Sequence, residues 1–170
     1  MDTTRLIRRL TWGLLTVTIP LSGVRAQVAP QLLPIEAKWC LASGTCIQLE
    51  VADEQREQAI GLQLRDPLPP LRGMWFPHRD PQILRYWMHR CNAALDMLFI
   101  RDDRVISIEA NVPPCPRLPC PSYGPDEPAD EVVELGAGEA QRLGIKIGSP
   151  AVIRPFKPLP DARPATPTRD

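Results

Sequence analysis

Residues Asn111 to Pro125 read NVPPCPRLPCPSYGP, with six prolines and two cysteines between two strand-like runs. Proline fixes φ at about −65° and removes a backbone donor, so this stretch is neither helix nor central strand. Long loops inside compact domains are functional or disordered. This one is stiffened by its prolines, and Cys115 and Cys120 are close enough to close a small ring across it. The chain must therefore fold around a rigid connection between strands.

The first residues set the compartment. Arg5, Arg8 and Arg9 form a basic region, and Leu10 to Val24 is uncharged and mainly apolar. Val24-Arg25-Ala26 offers small residues at the positions a signal peptidase reads. The expectation is a signal peptide over 1–26, with the mature chain periplasmic or extracellular. The apolar run is shorter than the ~18–20 residues that span a bilayer, and Pro20 interrupts it. An uncleaved membrane anchor is the alternative; otherwise the segment meets the membrane only during export. Its four arginines and one aspartate come off totals of 20 basic and 20 acidic residues, which leaves 16 and 19, net −3. No basic face of the kind that nucleic acids require is implied.

All five cysteines, Cys40, Cys46, Cys91, Cys115 and Cys120, follow the signal. In an oxidising compartment close pairs read as disulfides. The local pairing is Cys40–Cys46 and Cys115–Cys120, with Cys91 odd. A metal site is the alternative, but neither spacing is the usual C-x₂-C of zinc sites and no histidine is near either pair. No metal or cofactor is expected.

Residues 27–38, with Pro30 and Pro34, read as a flexible leader, and 154–170, with five prolines, as a disordered tail. The folded domain then spans 39–153. In Thr45–Ala52, Ile47, Leu49 and Val51 alternate with Gln48 and Glu50, the pattern of a half-buried strand with its polar side to solvent. Asp53 is a candidate cap for a short helix ended by Gly61. Gly73–Phe76, Leu84–Met88 and Glu131–Leu135 read as strands. Leu95–Ile100 and Arg104–Ala110 flank Asp102-Asp103 as a hairpin. Gly138–Leu143 reads as a helix of one or two turns. The fold class is mainly β: an antiparallel sandwich or open barrel with one or two short helices.

Several blocks together resemble the DUF192 family (UPF0127). They are LEVAD at 49–53, GLQLR at 61–65, GMWF at 73–76, WM at 87–88 with LDMLFI at 95–100, the loop NVPPC…PCPSYGP, and LGIKIG at 143–148. The resemblance covers roughly 47–153. It implies a jelly-roll-like β fold and no established activity, so it assigns no catalytic residue. One segment departs from the family pattern W-M-K-N-T-x-x-P-L-D: here His89, Arg90, Cys91 and Ala94 replace its Lys, Asn, Thr and Pro.

Asp96 is the sharpest single residue, a carboxylate inside an apolar strand that needs donors. It is expected to accept backbone N–H groups from the 89–94 turn, to pair with Arg65 or Arg85, or else to serve a ligand. Arg65 suits bidentate capture of a carboxylate or phosphate, or a salt bridge to Asp96 or Glu109. His89 and Cys91, at i and i+2, would share one side of a strand and form a nucleophile pair. His78 reads as a solvated loop residue. Phe76 and Trp87 read as core, with Tyr86 and Tyr123 on a rim. There is no nucleophile elbow, HExxH, P-loop or dinucleotide fingerprint.

The expected function is binding, of an unknown small molecule or envelope component, by an exported domain. The candidate residues are Arg65, Trp87, His89, Asp96, Glu109 and Tyr123. A hydrolase using Asp96 with Glu109 or His89 is the second reading, and a structural envelope module the third. Catalysis is the less favoured reading.

Overall fold

The computed structural model describes residues 29–157. The expected signal peptide, and the tail from 158 on, lie outside these residues. Seven strands form one sheet: β1 (Ile35–Cys40), β2 (Cys46–Val51), β3 (Arg72–Gln82), β4 (Leu95–Arg101), β5 (Arg104–Val112), β6 (Ala129–Gly136) and β7 (Ile153–Pro155). Two short helices complete it, α1 (Gln55–Ile60) and α2 (Glu139–Arg142). The mainly β class holds. The sheet order is β5-β4-β6-β3-β2-β1-β7. Its pairs are antiparallel except β2–β3, so the sheet is mixed rather than purely antiparallel. It does not close into a barrel. The segment before β7 spans the gap between its edges: Val105 N–H donates to Ser149 O, and Ala151 N–H to Asp103 O.

Strand parity divides the core. Trp39, Ile47, Leu49, Val51, Trp75, Leu98, Ile100, Val133 and Leu135 fill one side with α2. Met74, Phe76, Met97, Phe99 and Val132 fill the other, under Leu62, Leu84 and Met88. Both faces of the sheet are therefore covered, and Glu50, expected in solvent, is only 3% exposed.

Local expectations are met where chain chemistry decides them. Asp102 and Asp103 both have positive φ (50° and 56°), as a two-residue hairpin turn of matching twist requires. Gly61 ends α1 at φ 50°. The cap of that helix is Glu54 rather than Asp53, with Glu57 Oε2 accepting the Glu54 N–H at 3.3 Å. Leu84–Met88 is not a strand: it crosses the sheet face, and only Tyr86 pairs, with Tyr123. The leader is shorter than expected, because Ile35–Lys38 belong to β1 and Gln31 is tied down by its side-chain bonds to Glu57 O and Gly61 O. At the other end Arg154 and Pro155 belong to β7 rather than to a tail.

Candidate functional site

Three segments singled out in the sequence converge over the Met74–Met97 face. Leu64 N–H donates to Arg90 O at 2.8 Å, Arg90 N–H to Cys115 O at 3.2 Å, and Cys115 N–H to Met88 O at 3.0 Å. These bonds stitch the Arg65 arm, the Trp87–Asp96 segment and the Pro/Cys loop together. The loop is fastened further at Gly124, where a Cβ would lie 2.4 Å from Leu84 O and 3.1 Å from the Phe99 ring. Only glycine fits that approach, and its φ of 141° is one that other residues rarely adopt. Cys115–Cys120 and Cys40–Cys46 are disulfides, as expected, and Cys91 is free.

Arg65 meets neither Asp96 nor Glu109. Its two terminal nitrogens donate to Glu50 Oε2 and Oε1, each at 2.9 Å. The parallel β2–β3 register explains this, since it buries Glu50 beneath the Arg65 arm. Arg85 pairs with Asp126 and with the Pro125 carbonyl. Asp96 does accept backbone N–H groups, but not from the 89–94 turn. They come from Asn111 (2.8 Å), Gly138 (3.0 Å) and Ala140 (2.9 Å), which occupy both oxygens. Asp96 is fully buried on the α2 side of the sheet. It ties the end of β5 to the start of α2.

The hydrolase pairs are not assembled. Glu109 lies opposite Met97 on β5, so its side chain takes the face that Asp96 does not. His89 belongs to the segment covering that same Met97 face. Nor do His89 and Cys91 form a nucleophile pair. Arg90 has φ 59°, so the segment turns and strand spacing does not apply. His89 Nδ1 lies 3.8 Å from Cys120 Sγ. Burial and the nearby Glu134 push the Cys91 thiol up to about 12, which keeps it protonated.

The aromatic expectations divide. Phe76 is core, but Trp87 is 49% exposed and stacks at a tilt on His89, ring centroids 5.5 Å apart. Tyr86 and Tyr123 are half-buried against the core. His78 is no solvated loop residue: it sits in β3 with Nε2 3.1 Å from the Tyr86 hydroxyl, and burial lowers its pKa.

The register shows a feature that the sequence reading missed. Glu50 lies opposite Met74, Met74 opposite Glu134, Glu134 opposite Met97, and Met97 opposite Glu109. Three carboxylates thus alternate with two methionines across five strands, on one face. Glu50 has Arg65. Glu134 is 5% exposed and has no ion pair or hydrogen bond among the described residues. Burial pushes its carboxyl up to about 8. Burial first, and the charge of Glu134 second, raise both Tyr86 and Cys91. The signal available in the sequence was Glu134 between Val133 and Leu135, the same context that drew attention to Asp96.

A small crevice lies at this face between the Leu62–Leu68 arm and the Cys91–Leu95 turn, lined by Leu62, Arg65, Asp66, Pro67, Leu68, Cys91, Ala93 and Leu95. Leu95 lies opposite Gly136, two residues along β6 from Glu134 on the same face. Among the described residues no cluster of three His, Cys, Asp or Glu side chains could hold a metal ion, and no helix is long and apolar enough to cross a membrane.

No curated protein matches the chain. Two solved structures do. One is a protein of unknown function from Novosphingobium aromaticivorans DSM 12444, 30% identical, with TM-score 0.62, covering 75% of this chain and 93% of its own. The other is from Sinorhizobium meliloti 1021, where its assignment as a transcription regulator is provisional; it is 28% identical, with TM-score 0.59, covering 71% of this chain and 92% of its own. Residues 39–153 match DUF192, described as an "Uncharacterized ACR", and with its blocks, sheet and stitched loop in place the chain belongs to that family.

Proposed function

We propose that this chain is an exported ligand-binding domain. Its ligand docks at the crevice between the Leu62–Leu68 arm and the Cys91–Leu95 turn, which at ≈ 10 Å³ must widen for the ligand's polar end to reach Glu134 behind its lining. The carrying observation is Glu134 itself. A buried carboxyl without a partner costs free energy unless something compensates it. Glu50, in the same row, has its compensation in Arg65. Glu134, pushed up to about 8 by burial, holds its proton at neutral pH, and a ligand with a small apolar body and a basic nitrogen would take that proton and pair with the carboxylate. Arg65 and Asp66 are the charged groups among the otherwise mainly apolar residues of the crevice. The two disulfides support the exported half of the reading.

The test is a thermal-shift screen of small amines and their neutral isosteres against the wild type and Glu134→Gln. An amine that raises Tm in the wild type and does nothing in the variant supports the reading. It fails if no amine acts, or if the variant responds equally. Export is checked separately by cell fractionation and intact mass, which should give a periplasmic or secreted chain beginning at Gln27.

A further inference from the structure

We propose that the Cys115–Cys120 disulfide is a redox-active site that exchanges with an external dithiol, with His89 stabilising the Cys120 thiolate as it leaves. The ligand-binding reading does not enter this proposal.

The two disulfides differ in setting. Cys40 and Cys46 are register partners at the end of the β1–β2 hairpin. Cys115 and Cys120 sit in the Pro-rich loop, each partly accessible, with Pro114, Pro116, Arg117, Leu118, Pro119 and Pro121 exposed around them. A substrate thiol can therefore approach. His89 places Nδ1 3.8 Å from Cys120 Sγ. Trp87 stacks at a tilt on the imidazole, ring centroids 5.5 Å apart. The backbone bonds Arg90 N–H to Cys115 O and Cys115 N–H to Met88 O hold the histidine segment against the loop without help from the S–S bond. The Tyr86–Tyr123 bridge fastens the loop beyond Cys120 to the same segment, so Cys120 stays bracketed beside His89 when the bond opens.

Neither segment, 86–95 nor 113–122, contains a carboxylate, and they contribute Arg90 and Arg117. A histidine near a sulfur favours the thiolate, and a more stable leaving thiolate departs faster. Cys91 plays no part: it lines the crevice on the Arg65 side, and its thiol stays protonated.

The exchange balances in two steps. A substrate thiolate attacks Cys115 Sγ, a substrate–Cys115 disulfide forms, and the Cys115–Cys120 bond breaks with its electron pair on Cys120 beside His89 Nδ1. The second substrate thiolate then attacks the substrate sulfur of that mixed disulfide, and Cys115 leaves as thiolate. The dithiol is oxidised by two electrons to a disulfide. The loop is reduced to two thiols, with the protons coming from the substrate.

The test uses the purified chain under native conditions, treated with dithiothreitol at neutral pH, acid-quenched, alkylated and mapped by mass spectrometry. We expect Cys115–Cys120 to open well before Cys40–Cys46, and His89→Ala to slow the first several-fold while leaving the second unchanged. In the reduced protein the thiolate absorbance of Cys120 should titrate below an ordinary cysteine, move up in His89→Ala and be partly restored in His89→Lys. The unchanged Cys40–Cys46 rate and the circular dichroism spectrum report that the variants are folded. Cys115–Cys120 opening only on denaturation would overturn the proposal. So would a rate and a thiolate titration that His89→Ala leaves unmoved.

Discussion

Asp96 and Glu134 stand on neighbouring strands, each flanked by apolar residues, and their surroundings give them different tasks. Asp96 collects three N–H donors, so its charge is hydrogen-bonded throughout. Asp96→Asn should cost about 2–3 kcal/mol, because the amide loses the charge and turns an NH₂ toward backbone donors. Urea denaturation should show a lower midpoint with an unchanged slope. Glu134 has no such donors. Burial pushes its carboxyl up to about 8 in the folded chain against an ordinary 4.5. Below 4.5 both states hold the proton. Between 4.5 and about 8 the unfolded chain has lost it while the folded chain keeps it, so this group's contribution to stability falls as pH rises. The buried His78 acts with the opposite sign, since its lowered pKa costs stability below about 6.5. The clean observable is therefore the difference between wild type and Glu134→Gln. Across pH 5 to 8 the wild type should lose on the order of 4 kcal/mol relative to the variant.

At the scale of elements, the Pro/Cys loop is held from both ends and in its middle. Asp96 fixes Asn111 at its start, the His89–Cys115 bridge fixes its first half, and Gly124 packs under Leu84 and Phe99. Gly124→Ala should cost about 1–3 kcal/mol, because the added methyl meets backbone rather than a movable side-chain end. The measurement is again chemical denaturation. Removing the staple with Cys115→Ala and Cys120→Ala together should cost about 2 kcal/mol, as expected for so short a closed loop. The hairpin at Asp102-Asp103 is legible in the sequence because turn chemistry is local. The path of Leu84–Met88 is not, because an apolar run looks alike whether it joins a sheet or lies across one.

For the molecule as a whole, a thiol count checks the covalent framework. The non-reduced chain should titrate one thiol in denaturant, Cys91, and almost none when native, since that thiol is shielded and protonated. Five thiols would sink the disulfide assignment. The mainly β class, the rigid loop, the family and a local pairing of the cysteines are legible in chain order, because proline, cysteine spacing, period-two alternation and motif order are properties of neighbouring residues. So are the three segments that converge. Which charges meet is set in three dimensions. Arg65 found Glu50 rather than Asp96, and Glu134 took its place in a row with Met74 and Met97, because register and parity across separate strands set those contacts. No local pattern encodes register when both faces of a sheet are buried, since alternation then stops marking which side faces water.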